Sequence, residues 1–329
     1  MSIQIIAEAG VNHNGSMDLA KQMVKAAKEA GADYVKFQTF IPEKLVSRYA
    51  KKAEYQKETT GGTENQLQML QKLALTEQDF LHLKKYCEEL RIGFLSTPFD
   101  LDSIDFLDKL DMDFWKLPSG EVTNYPYLEK IGKTKKKVVM STGMCNMQEI
   151  REAVAVLEEN GATDITLLHC NTEYPTPFSD VNLLAMHHMS KEFHKPVGYS
   201  DHTIGIEIPI AAAALGATVI EKHFTLDKTM EGPDHRASLN PTELKQMITA
   251  VRNIELGMGD GMKRRTASEE KNCIAARKSL VAKTFIPKGE LFTVDNLTAK
   301  RPGGGKSPMK WKEILGTRAE KDYEMDELI

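Results

Sequence analysis

The sequence predicts an α/β fold, a (β/α)8 TIM barrel followed by a small β-rich domain. Eight short apolar or β-branched runs alternate with helix-period stretches, over the ~250 residues such a barrel needs. The runs are almost continuously apolar, as strands are when a parallel sheet is covered on both faces. Nearly every run also ends in polar or ionisable side chains. Stability alone gives no reason to gather them there, whereas a closed barrel brings the C-terminal strand ends to one rim. A doubly wound sheet is the weaker match.

The first run, IQIIAEA, ends at Glu8, and MDLAKQMVKAAKEAG follows with helical spacing and Gly31 in the C-cap place. DYVKFQTF carries Lys36 and Gln38. The stretch from Pro42 to Leu75, with AEYQKETTGGTENQLQMLQKL in its middle, exceeds an ordinary strand-to-helix connection. It predicts a partly helical flap over the rim. GFLSTPF ends at Ser96 and Thr97, MDFWKLPS at Lys116 and Ser119, and KVVMSTG at Ser141 and Thr142. MQEIREAVAVLEENG is the next amphipathic helix. DITLLHC brings His169 and then Asn171; PVGYSDH brings Ser200 and His202; TVIEKHFT, after IEIPIAAAALGA, brings Glu221, Lys222 and His223.

Past TELKQMITAVRNIELG the segment MGDGMKRRTASEEKN turns polar and loses its period. The expected division is therefore a barrel over 1–258, a linker over 259–274 and a β-rich domain over 275–329 with PKG and RPGGG turns. A core of that size is marginal alone, so docking on a larger surface is expected.

Composition excludes several classes. The 329 residues are 41% hydrophobic and 27% charged, with 43 basic against 47 acidic side chains and a net charge of -4. Apart from the short run Lys133 to Lys137 there is no basic patch, so no nucleic-acid partner is expected. No apolar stretch reaches the ~18 residues of a membrane span, and the N-terminus has no basic or long apolar leader. A cytoplasmic protein with no membrane partner is expected. Cys87, Cys145, Cys170 and Cys273 lack CxxC spacing, which favours buried reduced thiols over disulfides or a zinc knuckle.

His202 and His223 stand at equivalent ends of consecutive strands, so both imidazoles can reach a single ion. Two histidines leave positions open for water and substrate, as a catalytic metal requires. The plainer alternative is two hydrogen-bonded structural histidines. His13, in GVNHNG, reads as a loop-fixing residue rather than a ligand. Lys36 and Lys116, pointing to the same mouth as Thr97, Ser119, Ser141 and Ser200, make a cradle for phosphate and carboxylate; snorkelling lysines are the alternative. Glu8 and Glu121 can pair with the lysines or handle protons, and the residues do not separate these roles.

The strings AEAGVNHNGS, DYVKFQTF, LSTPFDLDSIDFL, KLPSGEVTN, STGM, LLHCNTEYPTPF, GYSDHT, VIEKHFTLDKTMEGPDHRASL and KRPGGGKSPM closely resemble the bacterial sialic acid synthase family. The likeness runs from Ile3 to Ile329. It implies a barrel with a C-terminal antifreeze-like domain of the SAF type, exchanged within a domain-swapped homodimer. It further implies His202 and His223 as ligands of a divalent metal, Mn2+ by preference, with Mg2+ or Co2+ also suited. Phosphoenolpyruvate would be held by Lys36, Thr97, Lys116, Ser119, Ser141 and Ser200, with Asn171 or Thr172 in the family's amide position. Gln38, Glu121, Tyr174 and Asp234 would hold the sugar, Arg301 would reach its acetamido group from the other subunit, and Glu8 would act near the reacting centre. The family often has PGNG where this chain has PGGG.

The implied reaction is condensation of phosphoenolpyruvate with an N-acetylated amino sugar and water. The metal polarises the sugar aldehyde, C3 of phosphoenolpyruvate attacks, water adds at C2, and phosphate leaves through C–O cleavage. N-acetylmannosamine giving N-acetylneuraminate is the first expectation; 2,4-diacetamido-2,4,6-trideoxymannose giving N,N'-diacetyllegionaminate is the alternative. A noncatalytic carbohydrate- or ice-binding protein is the rival from another class, and a metal-dependent aldolase or hydrolase a weaker one.

Overall fold

A computed structural model describes residues 2–52, 54–60 and 64–329. The first compact unit ends at Gly259. It holds eight parallel strands: β1 (Gln4–Gly10), β2 (Tyr34–Thr39), β3 (Gly93–Pro98), β4 (Trp115–Leu117), β5 (Val138–Ser141), β6 (Ile165–Cys170), β7 (Val197–Asp201) and β8 (Val219–His223). Their ladder order is β3-β2-β1-β8-β7-β6-β5-β4. The end strands β3 and β4 lie side by side, so the sheet comes round on itself as a (β/α)8 barrel. At that seam the Ser96 amide donates to Met112 Sδ at 3.2 Å, in place of a ladder bond to the three-residue β4.

The helices cover the outside. They are α1 (Met17–Ala30), α2 (Pro42–Leu45), α3 (Glu54–Thr60), α4 (Gln66–Leu73), α5 (Glu77–Leu90), α6 (Leu101–Asp108), α7 (Tyr125–Lys133), α8 (Met147–Glu159), α9 (Ala185–Phe193), α10 (Glu207–Ala214) and α11 (Pro241–Met258). Local chemistry sets several boundaries. Asn65 with Gln68, Thr76 with Asp79, Asn146 with Glu149 and Asn240 with Glu243 form capping boxes. Gly31 ends α1 in the left-handed region at φ 92°, where a side chain would be strained. The long connection after β2 is helical in three pieces, α2 to α4; Ala53 and residues 61–63 of the expected flap lie outside the described residues.

Parallel register fixes the inward-facing side chains. Glu8 stands opposite Lys36 on one side and His223 on the other, Gln38 opposite Thr97, and Ser200 opposite Glu221. Alternation then turns Asp201 and Lys222 the other way, where Lys222 Nζ bonds Asp201 Oδ2 at 2.5 Å and also the Thr203 carbonyl. Both side chains are fully buried.

The second unit spans Asp260–Ile329. Thr266 and Glu269 form a capping box that leads into α12 (Glu270–Ala276), so much of the stretch expected as a linker is helical. Strands β9 (Ser279–Ala282) and β10 (Leu297–Lys300) pair antiparallel. Leu280, Ile286, Phe292, Leu297 and Tyr323 make a separate small core, and a one-turn helix, α13 (Trp311–Ile314), packs on it through Trp311 and Ile314. Among the described residues no helix is long and apolar enough to cross a membrane.

Candidate active site

A cavity of about 210 Å³ opens at the C-terminal ends of the barrel strands. Its floor is a cluster of four buried charges. Lys36 Nζ lies 2.8 Å from Glu8 Oε2, 3.6 Å from Glu221 Oε2 and 3.0 Å from Thr97 Oγ1. Lys116 Nζ lies 3.4 Å from Glu221 Oε1 and donates to Ser141 Oγ at 2.8 Å. Ser200 donates to Glu221 Oε1 at 2.9 Å, and Gln38 to Glu8 Oε1 at 3.3 Å. Charges rarely go below the surface unless paired. Here two ammonium groups balance two carboxylates inside a cavity open to small molecules.

The four groups do not titrate alike. Burial pushes the Glu8 carboxyl up to about 7, against the pull of Lys36 and with the help of Glu221. Burial also acts to raise Glu221, yet Lys116 and Lys36 outweigh it and hold that carboxylate ionised. Burial lowers Lys116, whereas Lys36, opposed by the same burial, is raised by Glu221 and Glu8. Glu8 is thus the group able to keep or lose a proton near neutrality.

At the other side of the cavity the rings of His202 and His223 have centroids 5.3 Å apart, and Tyr174 stacks on His202 with centroids 4.1 Å apart. His202 Nδ1 donates to the Asn171 carbonyl, with Cys170 Sγ 3.8 Å away. A carbonyl can only accept, so Nδ1 carries a proton; burial opposes a second one, yet Cys170 and the Asn171 carbonyl outweigh it and raise the ring above its usual range. In the neutral ring Nε2 carries the lone pair, the form in which a second-shell bond prepares a ligating imidazole. His223 is held neutral, its basicity depressed by burial and then by His202 and Lys36. Its Nδ1 is buried without a hydrogen-bond partner, a costly arrangement for a purely structural histidine. These donors suit a divalent cation that takes its remaining ligands from water and substrate. Among the described residues no group of three or more His, Cys, Asp or Glu could hold a metal alone.

The remaining expected residues distribute as follows. Ser119 lines the cavity and accepts from the Gly143 amide at 2.8 Å. Thr172 is on the wall, whereas the Asn171 side chain is used in its own loop, accepting from the Glu173 amide and Thr176 Oγ1. Of the two residues expected at the amide position, Thr172 lines this cavity. Glu121 is turned away from this cavity: it accepts from Asn124 at 2.6 Å and lines a neighbouring one with Asp100. Asp234 is buried in a further cavity that also contains Gln38, Tyr174 and His223. Arg301 belongs to the second unit. His13 fixes its loop, Nδ1 accepting from the Gly15 amide at 3.1 Å.

Sequence reasoning left Glu221 without a role. Its place two residues before His223, as Ser200 is two before His202, was the available signal: period two puts both on the inner face.

Comparison with known proteins agrees with this geometry. The NeuB family matches residues 23–263 and the SAF domain residues 277–329. The chain is 56% identical to an N,N'-diacetyllegionaminic acid synthase of Campylobacter jejuni subsp. jejuni serotype O:2, over 99% of this chain and 98% of the relative. It is 45% identical to an N,N'-diacetyllegionaminic acid synthase of Legionella pneumophila subsp. pneumophila, over 97% and 90%. Among solved structures, the N-acetylneuraminic acid (sialic acid) synthetase from Leptospira borgpetersenii serovar Hardjo-bovis, in complex with citrate, superposes with a TM-score of 0.74 at 33% identity, covering 83% of this chain and 90% of that one.

Proposed function

Since the chain belongs to the NeuB family, whose relatives are nonulosonic acid synthases, we propose that it condenses phosphoenolpyruvate with 2,4-diacetamido-2,4,6-trideoxymannose and water, releasing phosphate and N,N'-diacetyllegionaminate. The sequence alone favoured N-acetylmannosamine as the sugar. The two relatives at 56% and 45% identity bear the diacetyllegionaminic acid name, and the reading follows them. The single observation that carries the enzymatic reading is the meeting of a lysine and hydroxyl cradle with two imidazoles in one cavity.

Lys36 and Lys116 would hold the carboxylate and phosphate of phosphoenolpyruvate, with Thr97, Ser119, Ser141, Thr172 and Ser200 donating to the same oxygens. Charge that builds on the departing phosphate then meets donors already in place, at no cost of reorganisation. His202 and His223 would hold a divalent cation, Mn2+ by preference, which when bound supplies a Lewis acid for the sugar aldehyde. Tyr174 and Gln38 orient the sugar beside the histidines. Glu8, with its carboxyl near 7, would hold the proton that the new hydroxyl gains or the water loses. A homodimer with exchanged SAF domains, Arg301 as acetamido contact and a cytoplasmic location complete the proposal.

The test is a phosphate-release assay with purified protein, phosphoenolpyruvate, Mn2+ and each amino sugar in turn. Release that requires both sugar and metal is expected. Absence of phosphate with every N-acetylated amino sugar refutes the reading.

A further inference from the structure

Beside the lysine cavity lies a second one of about 250 Å³, and the two share Gln38, Phe99, Tyr174 and His223. Among the described residues no lysine or arginine lines it. On the flap it is lined by Gln66, Met69 and Leu73 of α4, and elsewhere by Val11, Pro233 and Asp234. Met69 and Leu73 pack with Val11 and Phe40 in a small apolar cluster of their own, so this wall is built rather than loosely draped.

We propose that this flap pocket selects the sugar, receiving its C4-to-C6 end and preferring an acetamido and a methyl group there over two hydroxyls. The inference rests on the reading of His202 and His223 as the aldehyde end of the site. Two of the spaces open to an open-chain sugar anchored there adjoin His223. One is the charged cavity, which phosphoenolpyruvate occupies. The other passes Tyr174 and His223 into the flap pocket. Apolar walls gain from covering an acetyl or C6 methyl group, while Gln66 and Asp234 can pair with the amide. A hydroxyl set against Met69 or Leu73 gives up water without a partner. Gln66 and Met69 are therefore specificity-determining residues, in a segment that lies over a hundred positions before Tyr174 and Asp234.

The test measures kcat/KM on the full chain with phosphoenolpyruvate and Mn2+, comparing 2,4-diacetamido-2,4,6-trideoxymannose with N-acetylmannosamine. The parent should prefer the diacetamido sugar by at least about tenfold, the scale on which pocket shape discriminates single groups. In Gln66→Leu and in Met69→Gln, each close to its parent in volume, that ratio should fall about tenfold, mainly through KM for the diacetamido sugar. Met69 is buried and Gln66 half-buried, so Gln66→Leu keeps the test readable if Met69→Gln does not fold. Turnover with no preference, a preference for N-acetylmannosamine, or variants that leave the ratio unchanged overturn the inference while the synthase reading stands. No phosphate from either sugar overturns both.

Discussion

Replacing Glu221 by glutamine removes one charge from a buried set of four and nothing else of consequence in volume. In the parent this carboxylate faces Lys116 at 3.4 Å and Lys36 at 3.6 Å, with all three side chains at most 5% exposed. At an effective dielectric near 20, a unit charge pair at such a separation is worth about 5 kcal/mol. Part of that returns as relief from desolvating the carboxylate, so the net loss should sit near the ~3–5 kcal/mol typical of breaking a buried pair from one side. For a barrel of this size the expected fall in Tm is on the order of 10 °C. The sign of the remaining charge makes the claim specific. Lys116 and Lys36 then keep only Glu8 as counter-charge, so an anion entering the cavity should bind the variant more tightly than the parent and restore part of its stability. A concentration of inorganic phosphate 100 times its Kd restores about 2.7 kcal/mol. Differential scanning calorimetry with and without phosphate reads both effects. A Tm within a degree of the parent, or a fall that phosphate does not lessen, refutes the charge-balance account.

Three further outcomes follow from the same geometry. Removing His202 as His202→Ala should weaken Mn2+ binding at least 100-fold by titration calorimetry and abolish turnover while leaving the circular dichroism intact; retained kcat with metal still bound refutes the ligand assignment. Lys222→Met should cost about 3–5 kcal/mol in urea denaturation, because it strands the fully buried Asp201, and adding Asp201→Leu should recover more than half of that. Burial pushes His13 down to about 4, with Asp79 opposing and His235 assisting, and protonation would also break the hydrogen bond that Nδ1 accepts from the Gly15 amide. The unfolded chain then binds more protons between pH 6.5 and 4, so this histidine's contribution is complete above pH 6.5 and is lost as the pH falls, by about 2 kcal/mol at pH 5. His235, also pushed down to about 4, adds to the trend, whereas Glu8 and Asp234, raised to about 7 and 6, oppose it. The quantity to measure is the difference in slope between the parent and His13→Gln from pH 7 to 5; equal slopes refute the assignment.

What could be read in the chain was whatever depends on alternation and order. Glu8, Lys36, Ser200, His202 and His223 stand at strand ends, and period two with parallel neighbours sends them to one mouth regardless of distant detail. Which charge neutralises which was not readable, because that depends on how the barrel closes: Glu221 on β8 meets Lys36 on β2 and Lys116 on β4, neither of them a ladder neighbour of β8. Loop residues were less legible for a different reason. Beyond Cys170 the chain leaves the ladder, and Asn171 spends its side chain on the Glu173 amide, as asparagine does in turns, which leaves Thr172 on the wall. Glu121 likewise sits in a short 3-10 turn, Ser119–Glu121, whose geometry no alternation rule describes. The flap is the instructive case. Its helical spacing was visible in QLQMLQKL, and that spacing alone says the apolar face of α4 must be covered. It does not say that the cover is Val11 and Phe40 from the first two barrel units, nor that the space left over adjoins Tyr174 and Asp234. The lysine, hydroxyl and imidazole groups of this cavity are therefore legible in strand ends, where local periodicity reports them, whereas the pocket proposed to choose the sugar forms where a distant segment folds back, which only coordinates report.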